Sequence, residues 1–456
     1  MENLSIAEII KAVDGVLLSG NTDDTVSSVC IDTRKIKKNS LFVPLKGENV
    51  DGHSFLGKAF ELGASLAFVK KGYDVKNICG AMIEVPDTLI ALQKLAKYYR
   101  SKFDIPVIGV TGSVGKTTTK EMIATVLSES MPVLKTEGNY NGQIGLPLTI
   151  FNLNSEHKAA VLEMGVSKIG EMQILSEIAN VDFGVITNIG LSHIENFINI
   201  ETTCCEKMKL IKKESAKLYL NGDMPVLSKV SKYIEREPVY FGLNGNYKYK
   251  CEDVYSDNKC TYFTLVTSEF KDSICIPCLG IHNVYNALAA IAVSLDMGMH
   301  IDDIKNGLMK FQNVGMRQNI FELGSLTIID DSYNASPDSV KSAVSVLKNI
   351  KGNRNIVVMA DMLELGEQAH EIHFNTGRYI AIESVDILIT IGEYAKSLAD
   401  GAKSLNQNIQ AVHCQNNIKA FEVLKNIIEE NDKILIKGSR GMHTDEIVNL
   451  LKENFE

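Results

Sequence analysis

The segment that most constrains the fold is a short β-branched run, IPVIGV at residues 105–110, followed at once by the loop TGSVGKTT. A long amphipathic pattern typical of a helix begins at the lysine of that loop. A strand that enters a helix through a glycine loop is the opening unit of an α/β nucleotide-binding domain. The strict phosphate-loop pattern has a glycine where Val110 stands, but the strand, the helix and the Gly-Lys-Thr triplet are all present. We therefore interpret the segment as a variant phosphate-binding loop.

The composition is that of a soluble globular protein of about three domains. The 456 residues allow roughly 150 for each domain, and 45% hydrophobic residues can form sizeable cores. A net charge of −9 argues against a nucleic-acid partner, which needs clustered Lys and Arg. The opening MENLSIAEII lacks a basic segment before an apolar run, and no apolar stretch of about 18 residues occurs. We expect a cytoplasmic protein without membrane insertion, and a monomer.

Changes along the chain in the pattern of strand-like and helix-like segments predict three domains. Residues 1–100 mix short strands with helices, and residues 101–313 alternate strand and helix patterns as a parallel sheet requires. The turn-punctuated segment 238–280 predicts a small antiparallel addition to this second domain. Residues 314–456 carry four more apolar strand patterns with helices between them. The predicted fold class is α/β, with a small N-terminal domain, a central parallel sheet and a C-terminal Rossmann-like domain.

The glycine loop contains the residue types that phosphate binding needs. Gly112 and Gly115 let backbone N–H groups approach phosphate oxygens at the positive N-terminus of the next helix. Lys116 is placed to contact the β- and γ-phosphates, and Thr117 to hold Mg²⁺. Glu163 ends the strand pattern in AAVLEMG. It is either an exposed strand-end carboxylate or, as we favour beside a phosphate loop, a second support for the nucleotide-bound Mg²⁺.

Two residues further along the chain have more than one interpretation. His193 follows the strand pattern FGVITNIG and could be a metal ligand, a base or a loop histidine satisfied by water. Lys207 is one of four lysines in the predicted helix 202–213, together with Lys209, Lys212 and Lys213. Such lysines ordinarily form a solvated basic face, and their spacing alone indicates nothing more.

Three later polar clusters are candidates for ligand contacts. His282, Asn283 and Asn286 stand at a predicted helix start, where capping explains one such residue but not three. The stretch IDDSYNASPDS after a strand could be a loop with Asx turns or could contact a ribose and base. The residues after the last strand could form an anion pocket: Lys437, Ser439 and Arg440.

The nine cysteines do not predict a metal site. Cys275 and Cys278 have CxxC spacing, but a zinc site normally needs a second pair at a suitable distance. Both lie in a strand-like apolar run. We favour core thiols in a reducing compartment over a metal or redox pair.

Six motifs occur together, in an order found in one enzyme family: GVTGSVGKTTTKEM, TEGNYNGQIGLPLT, AVLEMG, ITNIGLSHIE, GIHNVYNALAA and IIDDSYNASPDS. With these motifs the chain resembles the Mur ligase family, ATP-dependent amide-forming enzymes of bacterial peptidoglycan synthesis. The resemblance covers essentially the whole chain. It implies that residues 1–100 bind a UDP-substrate, that 101–313 bind ATP, and that 314–456 contact D-Ala-D-Ala and ATP.

Within the family, the stretches IDTRKIKKNSLFVPLKG, MADMLELGEQAHEIH and KGSRGM are similar to the members that join D-alanyl-D-alanine to UDP-N-acetylmuramoyl-tripeptide. This resemblance implies a ligase that forms ADP and phosphate. The tripeptide carboxylate would take the γ-phosphate, and the dipeptide amine would then displace phosphate from the acyl phosphate. The alternatives are another amino-acid ligase of the superfamily, similar to folylpolyglutamate synthase, and a P-loop NTPase that switches a partner without forming a bond.

The resemblance also implies residue roles. The expected ATP-binding residues are Thr111, Gly112, Ser113, Val114, Gly115, Lys116, Thr117, Thr118, His282, Asn283, Arg317 and Asp331. Two Mg²⁺ ions are expected on Thr117, Glu163, His193 and Lys207, with Lys207 as a carbamate, and the expected catalytic residues are Lys116, His193 and Lys207. The expected substrate-binding residues are Asp32, Thr33 and Arg34 at the uridine end, Thr136, Asn139 and Asn141 near the muramoyl-peptide, and Ser192, Tyr333, Asn334, Lys437, Ser439 and Arg440.

Overall fold

The computed structural model describes residues 1–191, 194–233 and 236–455, and these form three α/β units. In the first unit, a five-stranded sheet of order β2-β7-β6-β5-β4 stands beside the ribbon β1-β3. Helix α1 starts where Ser5 and Glu8 form a capping box. The elements are β1 (Leu4–Ser5), α1 (Ile6–Val13), β2 (Val16–Ser19), β3 (Thr25–Val26), β4 (Ser28–Cys30), β5 (Ser40–Phe42), α2 (Leu56–Glu61), β6 (Ala64–Lys70), β7 (Ala81–Val85) and α3 (Thr88–Ser101).

The second unit is a single nine-stranded sheet. Its elements are β8 (Val107–Thr111), α4 (Lys116–Leu127), β9 (Val133–Lys135), α5 (Gly145–Ile150), β10 (Ala159–Glu163), α6 (Glu171–Ala179), β11 (Phe183–Ile186), α7 (Ile194–Phe197), α8 (Ile200–Met208), β12 (Lys217–Asn221), α9 (Pro225–Val230), β13 (Val239–Gly242), β14 (Tyr249–Ser256), β15 (Thr261–Val266), β16 (Lys271–Ile276), α10 (Ile281–Asp296) and α11 (Ile301–Met309). The order is β16-β15-β14-β13-β12-β11-β8-β10-β9. β8 pairs in parallel with both β10 and β11, so the ends of these three strands meet at one edge of the sheet.

The third unit is a six-stranded sheet of order β17-β18-β22-β19-β20-β21. Its elements are β17 (Asn319–Leu323), β18 (Leu326–Asp331), α12 (Pro337–Asn349), β19 (Asn355–Ala360), α13 (Ala369–Ile382), β20 (Ile387–Ile391), α14 (Ala395–Leu405), β21 (Gln410–Cys414), α15 (Asn417–Ile427), β22 (Lys433–Lys437) and α16 (Asp445–Phe455). β17 is antiparallel to β18, and the other five strands are parallel. β22, the last strand in the chain, is inserted between β18 and β19, so strands distant in sequence are neighbours in this sheet.

Buried apolar side chains join the units. Leu92 of α3 and Leu146 of α5 belong to one core cluster that spans the first and second units. Tyr99 Oη donates across the same boundary to the carbonyl oxygen of Leu153 at 2.6 Å. Leu279 of the second unit packs in the core that contains Val344 of the third. A side chain of the second unit is thereby part of the core of the third.

These sheets confirm the predicted α/β class. The segment 238–280 forms the antiparallel strands β14 to β16, which continue the central sheet at one edge. One helix was predicted too long, because α8 ends at Met208 and Lys209 is its C-cap. None of the helices within the described ranges is long and apolar enough to cross a membrane.

Candidate active site

The phosphate loop, residues 111–118, leads from β8 into α4, and two glycines determine its backbone. Gly112 has φ 152° and Gly115 has φ 85°, values that glycine adopts readily. A Cβ atom at Gly112 would lie 2.0 Å from Thr187 Oγ1, and one at Gly115 would lie 2.7 Å from Asn286 Oδ1. Both the backbone conformation and the close packing therefore favour glycine at these two positions.

The segment after β11 supports the loop. Asn188 Oδ1 accepts a hydrogen bond from the N–H of Val114 at 2.6 Å, and its carbonyl oxygen accepts one from Ser113 N–H at 3.0 Å. The N–H of Gly190 donates to Ser113 Oγ at 2.8 Å. Within the described ranges, no side chain caps the N-terminus of α4. The first backbone N–H groups of α4 can therefore bind an anion.

Lys116 and Thr117 begin α4 at the mouth of the loop. Lys116 Nζ donates to the carbonyl oxygens of Gly112 at 2.8 Å and Ser113 at 3.2 Å. Desolvation by the surrounding protein lowers the pKa of Lys116, and Glu163 partly offsets this effect. Thr117 is almost fully buried beside it. The loop therefore presents an ammonium group and a hydroxyl group at adjacent positions.

Glu163, at the end of β10, is the carboxylate of this site and is 2% exposed. Asn141 Nδ2 donates to its Oε1 at 2.8 Å, whereas Oε2 is buried and has no hydrogen-bond partner among the described residues. Such an oxygen is costly unless a cation binds it. It fits Mg²⁺, which prefers oxygen ligands and takes the rest of its coordination shell from substrate phosphates and water. Glu163 and Thr117 are thus suited to a nucleotide-bound Mg²⁺.

Lys207, on α8, is 3% exposed, so the solvated-face interpretation is wrong for this residue. Burial, together with the nearby charge of Lys116, lowers the pKa of Lys207 to about 7. Its Nζ lies 5.7 Å from the centroid of the Phe197 ring. The three other lysines lie beyond α8 and pair with carboxylates: Lys209 with Glu206, Lys212 with Glu177 and Lys213 with Asp182.

One cavity joins the phosphate loop to the third unit. The second unit contributes loop residues 113–118 and α10, and the third contributes the ends of β18 and β22 with the first turns of α12. The predicted residues that line it are Ser113, Val114, Gly115, Lys116, Thr117, Thr118, His282, Asn283, Arg317, Asp331, Tyr333, Asn334 and Lys437. Thr111 and Gly112 directly precede the lining residues in the chain and are not part of the cavity wall. Residues far apart in the chain thus form one candidate nucleotide site.

The wall contributed by the third unit is organised by two contacts. Lys437 Nζ donates to Asp331 Oδ2 at 2.5 Å and to the carbonyl oxygen of Asn334 at 2.9 Å. The guanidinium carbon of Arg317 lies 3.9 Å from the centroid of the Tyr333 ring, a cation–π geometry. These contacts hold a carboxylate, a guanidinium group and an aromatic face towards the phosphate loop.

Gln318 is a cavity residue that the sequence analysis missed. Its Nε2 donates to the carbonyl oxygen of Leu279 at 2.7 Å, and its Oε1 accepts from Asn283 Nδ2 at 3.1 Å. Its backbone N–H donates to Asp331 Oδ1 at 3.1 Å. The sequence contains no signal for this role, because Gln318 connects partners that are 35 and 13 residues away.

A second cavity, of about 410 Å³, lies between the first and second units at the predicted uridine end. Asp32 lines it, and Lys35 and Tyr140 stand on its two sides, with Lys35 Nζ 3.3 Å from Tyr140 Oη. Asp32 caps the short helix that contains Thr33 and accepts a bond from the exposed Arg34 at 2.7 Å. Asp32, but neither Thr33 nor Arg34, is part of the wall.

The remaining predicted substrate residues that the structure describes lie outside both cavities. Thr136 is fully buried and accepts a hydrogen bond from Glu163 N–H at 3.0 Å, and Asn139 is exposed. Ser439 is buried, with its Oγ accepting from Leu363 N–H at 2.8 Å. The partners of Arg440 are Asp445 and Met316. The predictions for Ser192 and His193 fall outside the described residues.

The cysteines are free thiols throughout the described residues. Cys278 packs in the core of the second unit, where burial raises its pKa. Cys275 is half-buried in β16, and burial raises its pKa to about 11. In the described ranges, no three His, Cys, Asp or Glu side chains are grouped so that they could hold a metal ion unaided.

Family models match three consecutive parts of the chain. The Mur ligase family catalytic domain matches residues 25–100, the Mur ligase middle domain matches 110–294, and the Mur ligase glutamate ligase domain matches 316–440. The UDP-N-acetylmuramoyl-tripeptide–D-alanyl-D-alanine ligase of Bacillus subtilis (strain 168) is 39% identical over 455 residues, which are 99% of this chain and 98% of that protein. This chain belongs to the Mur ligase family.

This Mur ligase is also similar to a second protein of the same name and to solved structures. The Escherichia coli (strain K12) ligase is 31% identical over 463 residues, covering 100% of this chain and 99% of that protein. A crystal structure of MurF from Acinetobacter baumannii has a TM-score of 0.93 at 28% identity, with both chains fully covered. MurF from Thermotoga maritima, in complex with ADP, has a TM-score of 0.84 at 27% identity, over 94% of this chain and 97% of that one. The predicted family and three-domain α/β fold are confirmed.

Proposed function

We propose that this Mur ligase joins D-alanyl-D-alanine to the tripeptide carboxylate of UDP-N-acetylmuramoyl-tripeptide, using ATP and releasing ADP and phosphate. The observation that carries the proposal is the cavity between the second and third units. It combines the phosphate loop with Arg317 and Asp331, and Lys116 in its wall is near enough to Glu163 for that carboxylate to affect the pKa of the lysine. The B. subtilis and E. coli proteins that cover nearly the whole chain bear the name of this ligase.

In the first step a carboxylate attacks a phosphate, so the enzyme must bring two anions together. The backbone N–H groups of residues 115–117 would bind the β- and γ-phosphate oxygens, and Lys116 Nζ would move from the loop carbonyls to the phosphates. Arg317 reaches the same cavity from the third unit. These positive charges would stabilise the negative charge that develops in the transition state.

Thr117, Glu163 and Lys207 are the described residues that we propose hold two Mg²⁺ ions, together with His193. Bound Mg²⁺ neutralises phosphate charge and orients the transferred group. An ammonium group cannot be a metal ligand, so we propose that Lys207 carries a carbamate. Its lowered pKa, about 7, supports this idea because carbamate formation requires the neutral amine.

In the second step the dipeptide amine attacks the acyl phosphate, which must be protected from water. We propose that residues 314–456 bind D-Ala-D-Ala near Ser439 and Arg440 and cover the site. We propose that residues 1–100 hold the uridine end near Asp32, and that residues 101–313 carry the chemistry. We propose that Tyr333 and Asn334, which line the nucleotide cavity, contact substrate there. We further propose that the enzyme is cytoplasmic and that it is a monomer. Sedimentation of the purified protein tests the monomeric state.

The deciding experiment measures phosphate release from ATP with each substrate omitted in turn. We expect release only when UDP-N-acetylmuramoyl-tripeptide and D-Ala-D-Ala are both present, with tripeptides ending in lysine and in diaminopimelate compared. Release without either substrate would contradict the proposal and favour an NTPase switch. Release driven by another amino acid and acceptor would favour a different ligase of the superfamily.

A further inference from the structure

A buried charge cluster behind the phosphate loop takes no part in the proposed reaction. Lys120 and Glu121, on α4, are 1% and 6% exposed, and Lys120 Nζ donates to Glu121 Oε1 at 2.5 Å. Lys135, at the end of β9, donates to Glu121 Oε2 at 2.6 Å from a more exposed position. Burying a lysine is costly, so the position of Lys120 needs a reason.

The second contact of Lys120 leads towards the active site. Its Nζ donates to the carbonyl oxygen of Thr136 at 2.7 Å, just beyond β9. Thr136 N–H donates to the carbonyl oxygen of Val161 at 3.1 Å, and Thr136 Oγ1 accepts from the N–H of Glu163 at 3.0 Å. Thr136 is therefore held on one side by Lys120 and itself holds the end of β10.

Glu163 is consequently fixed at two points. Thr136 binds its backbone N–H, and Asn141 Nδ2 binds its side-chain Oε1 at 2.8 Å. With these two bonds in place, Oε2 is the oxygen left without a partner among the described residues. The direction in which that oxygen points depends on both supports.

We propose that Lys120 and Thr136 are positioning residues, which act through Glu163 to orient its free carboxylate oxygen towards the nucleotide-bound Mg²⁺. This inference rests on the proposed function, since it assumes that Glu163 serves a Mg²⁺–nucleotide complex. It replaces the expected contact of Thr136 with the muramoyl-peptide by an internal role, consistent with a side chain that is 0% exposed. Residues that orient a metal ligand typically change metal affinity by about 10- to 100-fold when altered.

Lys135 offers a matched control. Lys120→Met and Lys135→Met each remove one of the two cations that pair with Glu121, but only Lys120→Met also releases Thr136. Thr136→Val removes the acceptor for Glu163 N–H while nearly preserving shape, and Thr136→Ser retains it. Because Lys135 is more exposed than Lys120, the two variants can differ in stability, and the part of nucleotide binding that depends on Mg²⁺ is therefore the quantity to compare.

The experiment measures binding of the non-hydrolysable analogue β,γ-methylene-ATP by calorimetry, once with Mg²⁺ and once with EDTA. We expect Thr136→Val and Lys120→Met to lose about tenfold or more of the affinity measured with Mg²⁺ and to keep the affinity measured with EDTA. Lys135→Met and Thr136→Ser should retain the increase in analogue affinity that Mg²⁺ gives the wild-type protein. Circular dichroism of each variant tests that the protein is folded. If Lys120→Met does not fold, the comparison of Thr136→Val with Thr136→Ser tests the proposal.

Each outcome bears on one of the two proposals. If the wild-type protein shows no gain in affinity from Mg²⁺, the proposed Mg²⁺–nucleotide site is wrong. If the wild-type protein shows the gain and Thr136→Val keeps it in full, the positioning role is wrong while the proposed function stands. Equal losses with Mg²⁺ and with EDTA would also overturn the positioning role, because the defect would then lie in the nucleotide pocket itself.

Discussion

Asp331 and Lys437 form an ion pair across the neighbouring strands β18 and β22, with Oδ2 and Nζ 2.5 Å apart. The two residues are in register at the carboxyl ends of their strands and line the candidate nucleotide cavity. Lys437 is almost completely buried. The pair therefore joins the stability of the third unit to the shape of the active site.

Removal of the cation from this pair should destabilise the protein. Lys437→Met leaves the partly buried carboxylate of Asp331 without its cation, and we expect the free energy of unfolding to fall by up to about 3–5 kcal/mol. The double variant Asp331→Asn, Lys437→Met should recover much of that loss because no unpaired charge remains. Urea denaturation followed by circular dichroism measures both. A loss below about 1 kcal/mol in the single variant would show that the pair behaves like a solvent-screened surface pair.

Gly112→Ala should strongly reduce nucleotide-dependent activity. Its Cβ would meet Thr187 Oγ1 at 2.0 Å, so the phosphate loop would have to shift. A displacement of about 1 Å at a reacting centre can cost about 10²-fold in rate, and we expect at least that loss of phosphate release. Gly57→Ala is the control, since its Cβ would have no neighbour within 4 Å and it lies in α2, away from the loop. Comparable activity of the two variants would contradict the assigned loop geometry.

Lys207→Ala should eliminate ligase activity, and added short carboxylic acids should partly restore it by occupying the place of the carbamate. The reason is that Lys207 is buried and its pKa is lowered to about 7, as carbamate formation requires. Phosphate release is measured with and without acetate or propionate. Lys209→Ala, which alters a more exposed lysine paired with Glu206, should remain active. Full activity of Lys207→Ala would show that Lys207 is not part of the metal site.

His373 should make the stability of the third unit depend on pH. Its Nδ1 donates to the carbonyl oxygen of Ala369 at 2.6 Å, so its Nε2 is the acceptor for Met362 N–H at 2.9 Å. Burial lowers the pKa of His373. As pH falls below about 6.5, the unfolded chain binds a proton that the folded chain resists, and stability decreases until the lowered folded pKa is reached.

The measurement is urea denaturation at several pH values between 7.5 and 5. We expect a loss of up to about 1.4 kcal/mol per pH unit from His373, and a smaller loss in His373→Gln. Burial also lowers the pKa of His282, so this residue likewise makes the protein less stable as pH falls. Some dependence of stability on pH should therefore remain in His373→Gln. The exposed His300, changed to Asn to keep its capping role, is the control. Identical slopes in wild type and His373→Gln would contradict the prediction.

Local patterns were sufficient to predict the phosphate loop and its neighbours. A strand, two glycines and a helix N-terminus are adjacent in sequence, so their geometry follows from local backbone preferences. Glu163 was predicted as a strand-end residue, and the parallel pairing of β10 with β8 brings it beside the loop. His282 and Asn283 were predicted at a helix start and do begin α10 in the cavity wall.

Other features depended on packing that no local pattern shows. A lysine-rich helix end looks solvated, yet Lys207 is buried because its side of α8 packs into the second unit. Thr136 resembled a loop residue near substrate, yet it is enclosed between Lys120 and Glu163. Gln318 gave no signal, because its partners come from α10 and β18.

The sequence by itself determined the α/β class, the order of the three units, the phosphate loop and the family, since these depend on short-range periodicity and on motifs that are contiguous in the chain. Only the tertiary structure decided which side chains share an environment. It buried Lys207, paired Asp331 with Lys437, and left Glu163 Oε2 without a hydrogen-bond partner among the described residues. The physical reason is that burial, pKa and unsatisfied polar atoms are properties of contacts between distant segments, and those contacts form only when the sheets and helices pack.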